Sequence, residues 1–101
     1  MRLDKEGFLV DLADWNDATA LELANRAGIE LSDEHWAVIT VLREFHQSTG
    51  VSPAMRPFVK LVGERLGTAK GTSIYLLSLF PGSPAKLAAK IAGLPRPTNC
   101  L

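Results

Sequence analysis

Cys100, the only cysteine of the 101 residues, carries the most reactive group in the chain and stands next to the last position. A lone cysteine is usually a small buried hydrophobe. One that follows Pro95-Arg96-Pro97-Thr98-Asn99 has little around it to bury it. An exposed thiol invites oxidation and unwanted coupling, so its position leaves two readings open, an incidental cysteine and a reactive one. The neighbouring carboxylate of Leu101 disfavours thiolate. Arg96, Lys90 and Lys86 offset that charge only if the arm folds back towards them.

Other catalytic constellations fail on spacing. His35 and His46 fall on one predicted helix, about 16 Å apart along its axis, and cannot share a metal. One cysteine can complete neither a structural zinc site nor an internal disulfide. Gly67-Thr68-Ala69-Lys70-Gly71-Thr72-Ser73 lacks the Gly-Lys-Ser/Thr order of a phosphate loop and has no strand before it. The acids of residues 11–34 suit helix caps and solvated faces, and Trp15 and Trp36 suit the core. No cofactor and no metal is expected.

The elements that must position Cys100 are mostly helical. Leu3 and Phe8-Leu9-Val10 flank Asp4-Lys5-Glu6-Gly7, which predicts a small N-terminal β-hairpin turning at Gly7. Asp14 is placed to cap a first helix that Gly28 stops, with Ala20, Leu23, Ala24 and Ala27 as its apolar face. Ser32 caps a second, carrying Trp36, Ile39, Leu42 and Phe45, and Gly50 ends it. Ser52-Pro53 opens a third that closes at Gly67, with Pro57 placed to kink it or shift its start. A short apolar helix covers Thr72 to Leu79, and Ser83-Pro84 opens a fifth that runs to Gly93. The prediction is a mainly-α fold, a small bundle of about five short helices with the hairpin and an extended C-terminal arm. Residues 1–101 form one domain, and 94–101 are expected to be a mobile arm, because Pro95 and Pro97 forbid helix and favour polyproline geometry. Such an arm carries its tip about 20–25 Å from the helix end.

Composition sets the outer bounds. An apolar share of 47% is too high for a disordered chain, and no apolar run approaches the ~20 residues of a membrane span. Acids stand where a signal peptide would begin its apolar run, so a cytoplasmic protein without membrane contact is the expectation. Zero net charge hides a polarity. Residues 1–50 hold four basic and ten acidic residues, whereas residues 51–101 hold seven basic residues and Glu64 alone. Either the second half meets an anionic partner or the two halves attract each other within one fold.

The tail Lys90-Ile91-Ala92-Gly93-Leu94-Pro95-Arg96-Pro97, followed by Cys100, resembles the C-terminal signature of the DsrC/TusE family. The likeness continues through Gly7-Phe8-Leu9, Asp14-Trp15-Asn16, His35-Trp36, Met55-Arg56, Lys70-Gly71, Leu79-Phe80-Pro81 and Pro84-Ala85-Lys86, nearly the whole chain in order. The resemblance implies a small helical protein with a mobile arm. The DsrC branch carries a second cysteine where this chain has Ala89, so the two-thiol chemistry of that branch is excluded. What remains resembles a sulfur carrier for 2-thiolation of the tRNA wobble uridine. Cys100 would take sulfane sulfur from a TusBCD-like donor complex and pass it to an MnmA-like tRNA thiouridylase, with Arg96 and Lys90 as candidates for docking the arm or stabilising thiolate. A homodimer stays open. The alternatives are a DsrC-like regulatory adaptor and a helix-turn-helix-like DNA reader built on Arg56, Lys60, Arg65 and Lys70.

Overall fold

The computed structural model describes residues 1–97. A 3-10 turn at Leu12–Asp14 precedes five helices: α1 (Asp17–Arg26), α2 (Asp33–Thr49), α3 (Met55–Leu66), α4 (Ser73–Leu79) and α5 (Pro84–Ile91). Helix α5 touches each of the other four. Its sequence explains this role. Ala85, Ala88 and Ala89 are buried, and side chains this small let several helices approach one backbone. Around it, Val38, Ile39 and Leu42 from α2, Phe58 and Val62 from α3, and Leu76 and Phe80 from α4 and its end complete one core. No helix among the described residues is long and apolar enough to cross a membrane.

The N-terminal segment departs from the expected hairpin. No strand forms among the described residues, and a single antiparallel bridge joins Leu3 to Leu9. Asp4 accounts for this compact form. Its carboxylate accepts the N–H groups of Glu6 at 2.9 Å and Phe8 at 3.0 Å, and its own N–H donates to the Phe8 carbonyl at 2.8 Å. The Phe8 N–H bond is the chief reason that the Asp4 carboxyl is held below its ordinary value. Asp11 then accepts from the Ala13 N–H and starts the 3-10 turn, which bends the chain away before a ladder can extend. Gly7 takes the expected positive φ, 89°.

Two helix starts also shift. Asn16 rather than Asp14 caps α1, accepting from the Thr19 N–H, because the 3-10 turn uses Asp14 as its last residue. Helix α3 begins at Met55 after an extended Ala54, with Pro57 in the first turn, where its missing N–H costs no helical bond. The caps at Ser32, Gly50 and Gly67 fall where the sequence puts them, and Thr72, expected as the first residue of α4, is its N-cap.

His35 is a buried structural residue. Its Nδ1 accepts from the Ser32 N–H in a capping box, which leaves Nε2 to donate to the Leu79 carbonyl at 2.8 Å. The ring therefore ties the start of α2 to the end of α4.

Tyr75, the single tyrosine, donates its hydroxyl to Glu34 at 2.6 Å. Burial, and then this carboxylate, push the phenol up to about 12. A folded value above the unfolded one of about 10 means that the neutral phenol is favoured by folding. That contribution is complete below about pH 10 and is lost as pH rises towards 12. An ultraviolet titration of phenolate should show a midpoint near 12 in the native protein, and Glu34→Gln should lower it. A native midpoint near 10 would contradict the Tyr75–Glu34 contact.

Candidate functional site: the root of the C-terminal arm

The chain leaves α5 through a tight reversal. Gly93, at φ 71°, lets its own N–H reach the Lys90 carbonyl at 3.1 Å and the Leu94 N–H reach the Ala89 carbonyl at 2.9 Å. This is a Schellman closure, with Leu94 folded back as its apolar partner and buried. The next carbonyls are captured from afar. Trp15 Nε1 donates to the Ile91 carbonyl at 3.0 Å, Arg43 donates to that of Ala92 at 2.7 Å, and Ser52 Oγ donates to that of Pro95 at 2.6 Å. Three distant parts of the chain thus hold the root of the arm.

Trp15 and Arg43 also hold each other. The guanidinium lies over the indole at 3.8 Å from the ring centroid, and burial lowers its pKa from the ordinary arginine value. Among the described residues it has no carboxylate partner, so the aromatic face and the Ala92 carbonyl are what balance its charge. On the other side of Gly93 the indole leaves no room, since a Cβ there would overlap the Trp15 ring.

The two cations singled out from sequence lie together. Lys90, in the last turn of α5, lies over the Phe8 ring at 5.3 Å from its centroid, and Arg96 lies over the same ring at 5.8 Å. Arg96 also pairs with Glu6, which Lys86 approaches at 3.9 Å. Pro97 is buried, so residues 94–97 lie along the body. Cys100 lies outside the described residues, as does the rest of the arm from 98 onward. The expected reach of the arm therefore shortens. Extended chain spans about 3.3–3.6 Å per residue, so at most about 10 Å of chain separates Cys100 from Pro97. Ala89 is fully buried against the core.

Sequence reasoning missed Ser52, Arg43 and Glu6 as parts of this arrangement. Ser52 reads locally as a helix opener, but its hydroxyl is engaged with the arm instead. Trp15, which the sequence suits to the core, is half-buried against it with its N–H turned to α5. Among the described residues no group of three or more His, Cys, Asp or Glu side chains could hold a metal.

A helical body that fixes the base of an arm, with its cysteine beyond, defines a protein of the DsrC type. The family model described as "DsrC like protein" matches residues 1–101, and the chain belongs to that family. It is 50% identical over 98 residues to the sulfurtransferase TusE of Sodalis glossinidius, covering 97% of this chain and 91% of the relative. It is 49% identical to the sulfurtransferase TusE homolog of Haemophilus influenzae, over 97% of this chain and 90% of that protein. Its fold is similar to that of Allochromatium vinosum DsrC, with a TM-score of 0.90 at 46% identity, over 98% of this chain and 88% of the other. The oxidized gamma-subunit of the dissimilatory sulfite reductase (DsrC) from Archaeoglobus fulgidus gives 0.86 at 40% identity, over 100% and 92%. These relatives put the chain among sulfur-relay proteins of the sulfurtransferase kind.

The fit of Gly93 generates a test with an internal control. Gly93→Ala combines a left-handed residue with a clash on Trp15 and should cost more than about 2 kcal/mol. Gly50→Ala has a similar φ of 78° but open space around it, and should cost only about 1–2 kcal/mol. Denaturant unfolding compares them; equal losses would show that the Trp15 contact does not constrain the arm root.

Proposed function

We propose that the protein is a persulfide carrier in which Cys100 holds sulfane sulfur between a donor and an acceptor. The observation that carries this reading is a cysteine five residues beyond Pro95, the last residue of an arm root that three distant side chains grip, in a chain about 50% identical to TusE sulfurtransferases. In the loading step the Cys100 thiolate attacks the outer sulfur of a donor persulfide. One S–S bond forms as another breaks, the donor leaves as thiolate, and no net oxidation occurs. In the unloading step an acceptor takes the outer sulfur, and Cys100 returns as thiolate. Activation of either thiol can come from the partner's site, which is why this protein needs no base of its own beside Cys100.

By analogy with the TusE relatives, the donor is a TusBCD-like complex and the acceptor an MnmA-like thiouridylase acting on the tRNA wobble uridine. Arg96 serves this reading by docking the arm on Glu6 and Phe8 rather than by travelling freely with the thiol. The DNA-reader alternative loses ground on electrostatics. Two of its four cations are already paired, Arg65 with Glu44 at 3.2 Å and Lys70 with Glu34 at 3.9 Å, and α4 is only seven residues long.

Cys100→Ser should leave stability within about 0.5 kcal/mol of wild type, because the core is built from residues 8–94 and a substitution away from it changes little. It should abolish persulfide formation, since serine cannot hold sulfane sulfur at neutral pH. Intact mass after incubation with a labelled persulfide donor reads this directly. Cells with only the variant should lose 2-thiouridine from the affected tRNAs. Labelled sulfur on the Ser variant, or normal thiolation in those cells, would sink the proposal.

A further inference from the structure

Around the arm root, Lys90 differs from its cationic neighbours. Lys86 and Arg96 share Glu6, and Arg26 pairs with Glu22 one helical turn away. Among the described residues Lys90 has no carboxylate, and its ammonium rests near the Phe8 ring. Lys90 and Arg26 also line a cavity of about 180 Å³ with Leu3, Gly7, Leu23 and Ala27. The lining is apolar apart from the two cations. Gly7 lies against the Lys90 side chain, since a Cβ at that position would be in van der Waals contact, at 3.6 Å, with the ammonium. The Phe8 ring under Lys90 is the one that Arg96 lies over, so the cavity and the arm root meet at one side chain.

We propose that this cavity is the docking socket for an acidic segment of the protein that exchanges sulfur with Cys100. An aliphatic side chain of that segment enters the cavity, and carboxylates beside it meet Lys90 and Arg26. The proposal rests on the persulfide-carrier reading and adds the face by which the carrier is held. Charge selects the partner. Lys90 lacks a counterion, and the Arg26–Glu22 pair is about half exposed on both sides and readily exchanged. A phosphate backbone would use the cations but not the Leu3–Leu23–Ala27 lining, so a protein fits better than an RNA. Distance agrees with this placement. Cys100 is four residues past Arg96, about 13–14 Å of extended chain, so a partner seated in the socket holds its own sulfur within reach.

The test follows loading of Cys100 by intact mass from two donors, a persulfide-charged donor complex from the same cells and a small-molecule persulfide. Only the protein donor can use a socket, so the readout is the ratio of the two rates. Lys90→Glu and, separately, Arg26→Glu should each lower that ratio roughly tenfold or more, with a thermal melt confirming that each variant is folded. An unchanged ratio in both folded variants would overturn the proposal. Equal slowing with both donors would also overturn it, and would assign the cations to the thiol itself. A fall seen only when tRNA is present would overturn it in favour of an RNA contact. If wild-type protein loads from neither donor, the persulfide-carrier reading fails first and takes this proposal with it.

Discussion

The end of α5 is the constraint on which the rest of the structure turns. Any helix leaves its last carbonyls without intrahelical partners, and most helices here satisfy such groups with neighbours a few residues away. At α5 the carbonyls of Ile91 and Ala92 point to Trp15 and Arg43, which lie 76 and 49 residues earlier in the chain. A hydrogen bond from a charged donor is worth about 1.5–3 kcal/mol, and a partly desolvated cation on an indole adds about 0.5–2 kcal/mol. The burial of Arg43 would be unfavourable without both partners. Removing Trp15 would take away the aromatic face under Arg43 as well as free the Ile91 carbonyl, so the two residues act as one unit.

The alanines of α5 make that arrangement sterically feasible. A hub helix with large side chains would hold α1 and α2 too far out for Trp15 and Arg43 to reach its last turn. With Ala85, Ala88 and Ala89 buried, the neighbouring backbones close in, and the core volume comes from Phe58, Phe80, Ile39 and Leu42 on the surrounding elements. The same economy appears between α3 and the α3–α4 connection. A Cβ on Gly71 would run into the backbone of Gly63, so the glycine at 71 is what permits this close approach.

Local chemistry was legible in the sequence, and distant chemistry was not. Ser32, Gly50, Gly67, Thr72 and Pro84 mark helix ends correctly, because a cap is decided by residues within one turn of it. Asp14 and Asn16 compete for the same role two residues apart, and the 3-10 turn set up by Asp11 decides between them. The N-terminal hairpin fails for a related reason: Asp4 gathers the turn into a loop held by its own carboxylate, leaving one bridge where alternation suggested strands. Ser52 is the clearest limit. Nothing within ten residues of it reveals that its hydroxyl belongs to Pro95, because that bond exists only once α3 and α5 have packed. Position alone leaves Cys100 open between an incidental and a reactive cysteine, and the likeness of the tail to the family signature is what singles it out.

The single thiol then decides how the arm can work. In the proposed carrier, with Ala89 buried where the two-cysteine branch resembled by this chain has its second thiol, a sulfur on Cys100 has no internal thiol to displace it. It can leave only when another molecule brings a thiol or a stronger reductant to it. A carrier of this kind gains nothing from an arm that sweeps a large volume, because every unproductive encounter exposes the persulfide to stray thiols. Residues 94–97 are pinned to Glu6, Phe8 and Ser52, and the chain from Pro97 to Cys100 spans at most about 10 Å when extended. A partner must then come to the carrier's face before its active site can meet the sulfur, so recognition by the folded body precedes chemistry at the tip.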